Sequence, residues 1–198
     1  TNVGFANGSA RTDVNTVITL DDQRVATTAL ISQRAQYITE IVASNPNFRT
    51  EPVEAAFVGI VHPHLTTGVR NMDGFIPTKQ YSGGVIPWAN EIGSVEDVRY
   101  VRSVLFTPFA DAGGAKGAMR STTGTSADVY PVLYISPDAY GMMPLKGSNA
   151  MSLIVHNPGS AGSADALNQR GTVGWKMAQQ SVILNDLWLY RLEVAALA

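Results

Sequence analysis

The sequence contains no cysteine, which excludes a disulfide framework and every cysteine-ligated metal or redox site. Charge is also scarce. Only 15% of the residues are Asp, Glu, Lys or Arg, against about a quarter in ordinary globular domains. These charges nearly cancel, to a formal net of −2, so no basic face suggests nucleic-acid recognition, which needs clustered Lys and Arg. Histidine is limited to His62, His64 and His156. No apolar run approaches the roughly 18 residues of a membrane span, and no signal-peptide pattern opens the chain. The first residue is Thr1 rather than Met, and the expectation is a trimmed fragment or a processed product.

What is present is 198 residues with 45% apolar content, enough for one domain or one fold with two lobes. With so few charges, Ser, Thr, Asn, Gln and Gly must cover part of the surface, as suits a protein that buries much of itself against partners. Residues 1–18 read as an arm or linker, with a short strand at Val14 to Ile18. Thr19 and Asp22 have capping-box spacing. A helix of about 24 residues should follow, to Asn45-Pro46, with Val25, Ala29, Leu30, Tyr37, Ile38, Ile41 and Val42 at three- and four-residue spacing. At about 1.5 Å per residue it would be about 36 Å long.

Ala55 to Val61 reads as a buried strand that ends at His62-Pro63-His64, with a short helix over Leu65 to Arg70. After a loop over 71–87 comes the most specific run in the chain, Trp88 to Phe106. It opens on a polar turn, Ala89-Asn90-Glu91, and a bend at Gly93, then becomes a strand over 98–106 that places Arg99 and Arg102 on opposite faces. Residues 107–128 are rich in glycine and short polar side chains, a loop long enough to be functional or mobile. Val129 to Ile135 is another strand, and Ser136-Pro137-Asp138 could start a short helix. Leu153-Ile154-Val155, Thr172 to Lys176 and the alternating Trp188 to Val194 also read as strands, while 176–184 suits strand or helix.

The residues do not assemble a catalytic motif. His62 and His64 flank a proline and make half a zinc site, with no HExxH or carboxylate pair to complete it. There is no G-x-S-x-G elbow. Gly113-Gly114-Ala115-Lys116-Gly117 lacks the G-x-x-x-x-G-K-[ST] spacing of a phosphate loop. Glu91, Glu96 and Asp97 form the only close carboxylate cluster, which reads as a turn and a solvated strand edge. The composition and the strand, turn and glycine-loop profile fit a structural subunit. The alternative is an enzyme or small-ligand domain with its site in the glycine-rich loops near His62 and His64.

Four stretches in order resemble a known family. Glu91-Ile92-Gly93 followed by Val98-Arg99-Tyr100-Val101 is similar to a signature of phage N-four-like major capsid proteins, in which a Gly-Glu-Ile-Gly turn leads into a Gly-Val-Arg-Phe strand. Val58-Gly59-Ile60-Val61-His62-Pro63 resembles that family's strand ending in His-Pro. Asp138-Ala139-Tyr140-Gly141 resembles its Asp-Ala-Tyr-Gly motif. Gly171 to Lys176, with Ile183-Leu184-Asn185-Asp186 and Arg191-Leu192-Glu193, resembles its C-terminal block. The match runs over residues 19–196. Asn90, Asp97 and Tyr100 depart from it, as does the short stretch before Thr19, where such proteins carry an arm and an extended loop.

The resemblance implies an α+β fold of the Hong Kong 97 type. It has a long spine helix, a peripheral lobe with an antiparallel sheet, and an axial lobe with a central mixed sheet. By order, 1–18 is the arm or linker, 19–54 the spine helix, and 55–97 mainly axial lobe. Residues 98–107 become a peripheral strand, 108–170 axial lobe and loops, and 171–198 C-terminal strands of the peripheral lobe. The implied function is that of a major capsid subunit, not an enzyme. It would self-assemble as hexamers and pentamers into the icosahedral head of a tailed phage, in the host cytoplasm. The implied partners are copies of itself, packaged double-stranded DNA met non-specifically, and portal, scaffold or decoration proteins. No cofactor, metal or membrane is expected. Glu91 and Arg99 are the candidate assembly or lobe contacts.

Overall fold

The structure is a computed structural model that describes residues 2–38, 55–81, 88–144, 151–160, 167 and 169–198. The chain divides into two compact units, Thr1–Ala139 with Asn185–Ala198, and Tyr140–Leu184.

The first unit is built on a seven-stranded mixed sheet. Its strands are β1 (Asn2–Phe5), β2 (Phe57–Val61), β3 (Ile76–Pro77), β4 (Glu91–Val95), β5 (Val98–Arg102), β6 (Val129–Ile135) and β11 (Leu189–Ala195). Their order is β1-β11-β6-β2-β5-β4-β3. β1 runs parallel to β11 and β2 parallel to β5, while the other pairs are antiparallel. The two larger of three buried clusters lie on opposite faces, as strand alternation requires. Leu192 and Val194 join Phe57, Val61, Tyr100, Val132 and Tyr134 under the helices α1 (Leu20–Ser32) and α2 (Thr66–Arg70). Ala195 and Val129 join Val14 and Ala127 on the other side. A buried polar chain crosses the larger core. Gln23 Nε2 donates to the Val95 carbonyl at 2.9 Å, the Tyr100 hydroxyl donates to Gln23 Oε1 at 2.7 Å, and the Tyr100 and Tyr134 hydroxyls share a bond of 3.1 Å. Each polar group in this chain is thereby satisfied away from water.

Several expectations change at this level. The capping box forms as read, with Asp22 N–H donating to Thr19 Oγ1 at 3.3 Å and Thr19 N–H to Asp22 Oδ2 at 3.0 Å. The helix, however, has 13 residues and stops at Ser32. Arg34 is left-handed (φ 58°), Arg34 N–H reaches the Ile31 carbonyl at 2.9 Å, and Ala35 N–H reaches Leu30 at 3.1 Å. That is a Schellman stop with arginine where glycine is usual, so composition does not announce it. Further groups hold the exit: Trp188 Nε1 donates to the Gln33 carbonyl at 3.0 Å, and Ser136 Oγ to that of Gln36 at 2.8 Å. The remainder of the expected spine helix, 39–54, lies outside the described residues.

Residues 2–5 are a strand of the sheet, and Val14 to Ile18 is not a strand but bends at Thr16. The bend in the 88–106 stretch comes at Glu96-Asp97, where Glu96 is left-handed (φ 46°), and Glu91–Val95 is a strand. Gly93 serves packing there: a Cβ would stand 2.6 Å from the Phe75 ring. β5 ends at Arg102, and Val104 and Leu105 beyond it are exposed. β5 pairs directly with β2 in the sheet that also holds β6 and β11. Residues 107–128 are tied down by bridges Phe109–Val129, Ala115–Ser126 and Met119–Leu197. Gly114 N–H donates to the Val14 carbonyl at 3.0 Å and Gly113 N–H to that of Ala127 at 2.9 Å, so the glycine run is a close backbone packing element. Residues 136–139 form a turn with Asp138 left-handed (φ 58°), not a helix.

The second unit contains two antiparallel ribbons: β7 (Tyr140–Pro144) with β10 (Gln179–Ile183), and β8 (Met151–His156) with β9 (Thr172–Met177). Of the two readings left open for 176–184, strand is the one observed beyond Met177.

Candidate functional site

Glu91 and Arg99 come together. They lie on adjacent antiparallel strands joined by the Glu96-Asp97 turn, and Arg99 Nη1 stands 3.0 Å from Glu91 Oε1. Both residues are 6% exposed, so the pair is an internal contact of the first unit. The Tyr81 hydroxyl donates to the same Glu91 oxygen at 2.7 Å, and the Arg99 guanidinium lies 5.0 Å from the Tyr81 ring centroid. Burial, with the Glu91 carboxylate beside it, pushes the Tyr81 hydroxyl up to about 12. Tyr81 escaped sequence reading because nothing in its surroundings marks it as the third member.

The other two carboxylates of that cluster are used separately. Arg24 Nη2 donates to Glu96 Oε1 at 2.6 Å, and the Tyr37 hydroxyl to Asp97 Oδ2 at 3.3 Å. With each carboxylate engaged by a different element, the three do not form an acid–base pair.

His62 and His64 also meet, because the proline between them starts a tight 3₁₀ turn. Their ring centroids are 4.4 Å apart, and each ring faces Tyr130, at 5.2 and 5.7 Å. His64 N–H donates to His62 Nδ1 at 3.2 Å, and His64 Nδ1 shares a hydrogen bond of 3.0 Å with the Tyr130 hydroxyl. Among the described residues, no group of three His, Cys, Asp or Glu side chains is placed to hold a metal ion. Burial lowers the affinity of His62 for a proton, assisted by the charges of His64 and Arg120; burial and then Arg120 do the same at His64. The sign of the consequence is fixed. The unfolded chain takes up protons at these imidazoles near pH of about 6.5, before the folded chain does. Their contribution to stability is therefore complete above that pH and declines as pH falls below it. Thermal unfolding from neutral to mildly acidic pH should show a declining Tm in the wild type, and a shallower decline in a His62→Gln/His64→Gln variant. Identical slopes would assign the acid sensitivity elsewhere.

The third feature lies in the second unit, in stretches whose sequence pattern shows only that they are strands. In β8 and β9 every residue is exposed, including Leu153 and Trp175 at 69% each and Val173 at 74%. Scattered exposed apolar residues are ordinary, whereas a contiguous set points to contact with something else.

No family model matches the chain, and no curated protein does. Solved structures do share its fold. A chain from the capsid of Ralstonia phage GP4 aligns over 100% of this chain and 52% of its own length, with a TM-score of 0.65 at 12% identity. One from the head structure of Helicobacter pylori bacteriophage KHP40 aligns over 99% and 60%, with a TM-score of 0.53 at 9% identity. One from Mycobacterium phage Che8 aligns over 96% and 53%, with a TM-score of 0.50 at 11% identity. The chain thus spans between 52% and 60% of the length of these neighbours. It has a mixed α+β fold, dominated by sheet, of the kind seen in phage capsid and head structures.

Proposed function

We propose that the chain is a structural component of a phage head, a major capsid subunit of the Hong Kong 97 type that associates with copies of itself into an icosahedral shell around double-stranded DNA. The observation that carries this reading is the fold likeness of the whole of this chain to 52% of the length of a chain of the Ralstonia phage GP4 capsid, which agrees with the four ordered motifs of the N-four-like family. The low charge and polar, uncharged surface composition suit repeated contact between identical subunits, where many weak contacts multiply. In this reading the partners are further copies in hexamers and pentamers, packaged DNA met without sequence preference, and portal and scaffold or decoration proteins. The place of action is the virion, after assembly in the host cytoplasm. The two compact units are the candidates for its two lobes.

Negative-stain microscopy of the complete gene product tests the proposal. Shells or capsomers of one repeating size are expected. A stable monomer that binds a metabolite, and forms no particles under any condition, would refute it.

A further inference from the structure

The ribbon β8–β9 has the side-chain pattern of a sheet that is covered on one face. Residues directly opposite one another in an antiparallel pair share a face. The pairs Met151–Met177, Leu153–Trp175 and Val155–Val173 therefore line up on one side of the ribbon. The intervening pairs, Ser152–Lys176, Ile154–Gly174 and His156–Thr172, point the other way. One side thus carries six large apolar side chains in an unbroken block, and the other is mostly polar. None of the six is buried. A two-stranded ribbon with a dry face is marginal on its own in water and needs a third layer to hold it.

We infer that this face is a self-association surface, and that its occupant is the same face of a second copy of the chain. The inference rests on the head-subunit reading above, in which the neighbours of each chain are copies of itself. Two properties of the face favour self-pairing. It carries no charged group, because the ribbon's lysine, Lys176, lies on the opposite side; identical faces can therefore meet without like-charge repulsion. The block is also centred on its largest pair. Leu153–Trp175 sits between the two-methionine pair and the two-valine pair. A two-fold axis through that centre sets Trp175 and Leu153 of one copy over the same residues of the other, at the sheet spacing of about 10 Å. Contacts of this kind are isologous and close on themselves.

Sedimentation of the 198-residue chain reads the contact. Trp175→Arg and Leu153→Arg should each weaken self-association at least about thirtyfold, as expected for a central aromatic or aliphatic anchor. Ser152→Arg, on the opposite face, should leave it unchanged. Unaltered circular dichroism in all three variants shows that the fold survives. The absence of native cysteine makes a second measurement clean. A single Leu153→Cys should be joined into a covalent dimer by a short bis-maleimide, and Ser152→Cys should not. A wild type that stays monomeric up to its solubility limit overturns the inference, as does association in Trp175→Arg equal to the wild type. Loss of association in Trp175→Arg without cross-linking of Leu153→Cys overturns the face-to-face pairing. Failures remain separable. If the complete gene product forms shells and Trp175→Arg leaves them intact, the ribbon inference falls and the head reading stands. If the ribbon mediates dimers but no particles ever form, the head reading falls instead.

Discussion

Glu91→Gln and Arg99→Met should each lower the unfolding free energy by about 3–5 kcal/mol, the range for breaking a buried ion pair from one side. The cost does not measure the attraction between the partners. It arises because the survivor is left charged where water does not reach: Glu91 and Arg99 are each 6% exposed. Neither group has partners to spare. Among the described residues, Glu91 Oε2 and Arg99 Nε have no hydrogen-bond partner, so the pair already carries some desolvation without return. In Glu91→Gln the Tyr81 bond can persist, but the guanidinium loses its counter-charge. In Arg99→Met the carboxylate keeps only the Tyr81 hydroxyl, at 2.7 Å. Replacing both, as Glu91→Leu/Arg99→Met, should cost far less than the sum of the single changes, because no charge remains buried. Urea unfolding monitored by circular dichroism checks this, with the m-value confirming that the denatured state is unchanged. Single losses below about 1 kcal/mol would place the pair in the exposed class. Under the proposed function, charge reversal at either residue would also stop assembly. It would act through the fold rather than through a lost contact between subunits.

The legibility of this chain divides along the range of the interactions that decide each element. Strands whose pattern is their own signal were readable: Phe57–Val61, Val129–Ile135 and Leu189–Ala195 all lie where β-branched and aromatic residues recur. So was the N-terminus of α1, because a capping box is local chemistry. Its end was not. The apolar spacing continues through Tyr37 and Ile38, yet these residues have left the helix: Tyr37 packs on Phe57 with ring centroids 4.6 Å apart, and Ile38 bridges to Ala56. An apolar residue at helical spacing is equally useful to a strand or a loop that faces the same core, and only tertiary contact selects among them. The bend at Glu96-Asp97 was hidden for a related reason. Gly93 is the conspicuous turn former, but its lack of a side chain is spent on the approach of Phe75 and Ile76. Glu91 and Arg99 could be named together from the resemblance, but their burial could not, since charged residues are ordinarily at the surface. The six-residue face of the β8–β9 ribbon was out of reach altogether. Without the pairing register, Met151 and Met177 are merely distant apolar residues. The register alone puts them on one side with Trp175.

Replacing Glu193 by leucine should detach the N-terminal segment from the sheet and cost about 2–3 kcal/mol, as loss of a buried acceptor shared by charged donors does. Residues 2–13 look dispensable in composition, being small and polar, but the structure ties Arg11 among them to one buried carboxylate. Glu193 is fully buried. Arg11 grips it with two bonds, Nε to Oε2 at 2.6 Å and Nη2 to Oε1 at 2.8 Å, and the Arg191 Nε lies 3.1 Å from Oε1. The Arg191 contact is an ion pair without a hydrogen bond. Arg11 in turn stacks on Phe109, 3.7 Å from the ring centroid, so the same guanidinium connects β11 to the segment that covers the smaller core. In Glu193→Leu both arginines can swing into water, since their side chains are 35% and 36% exposed. That escape holds the loss below that expected for the Glu91–Arg99 pair. What it removes is the reason for Arg11 to stay, and with it the charged anchor of the segment that follows β1. The remaining hold is the parallel β1–β11 ladder, the Ala6 N–H bond to the Glu193 carbonyl at 3.0 Å, the Asn2 Nδ2 bond to the Leu187 carbonyl at 3.5 Å, and the packing of Phe5 and Ala6 against the cores. Amide exchange should therefore accelerate across residues 3–6 and 11–14 and at Phe109, while protection at Phe57–Val61 falls only by the global loss of stability. Uniform acceleration over both regions would mean that the carboxylate supports the whole sheet and is not a local fastener. An unchanged N-terminal segment would mean that the ladder and the remaining contacts hold it without the carboxylate.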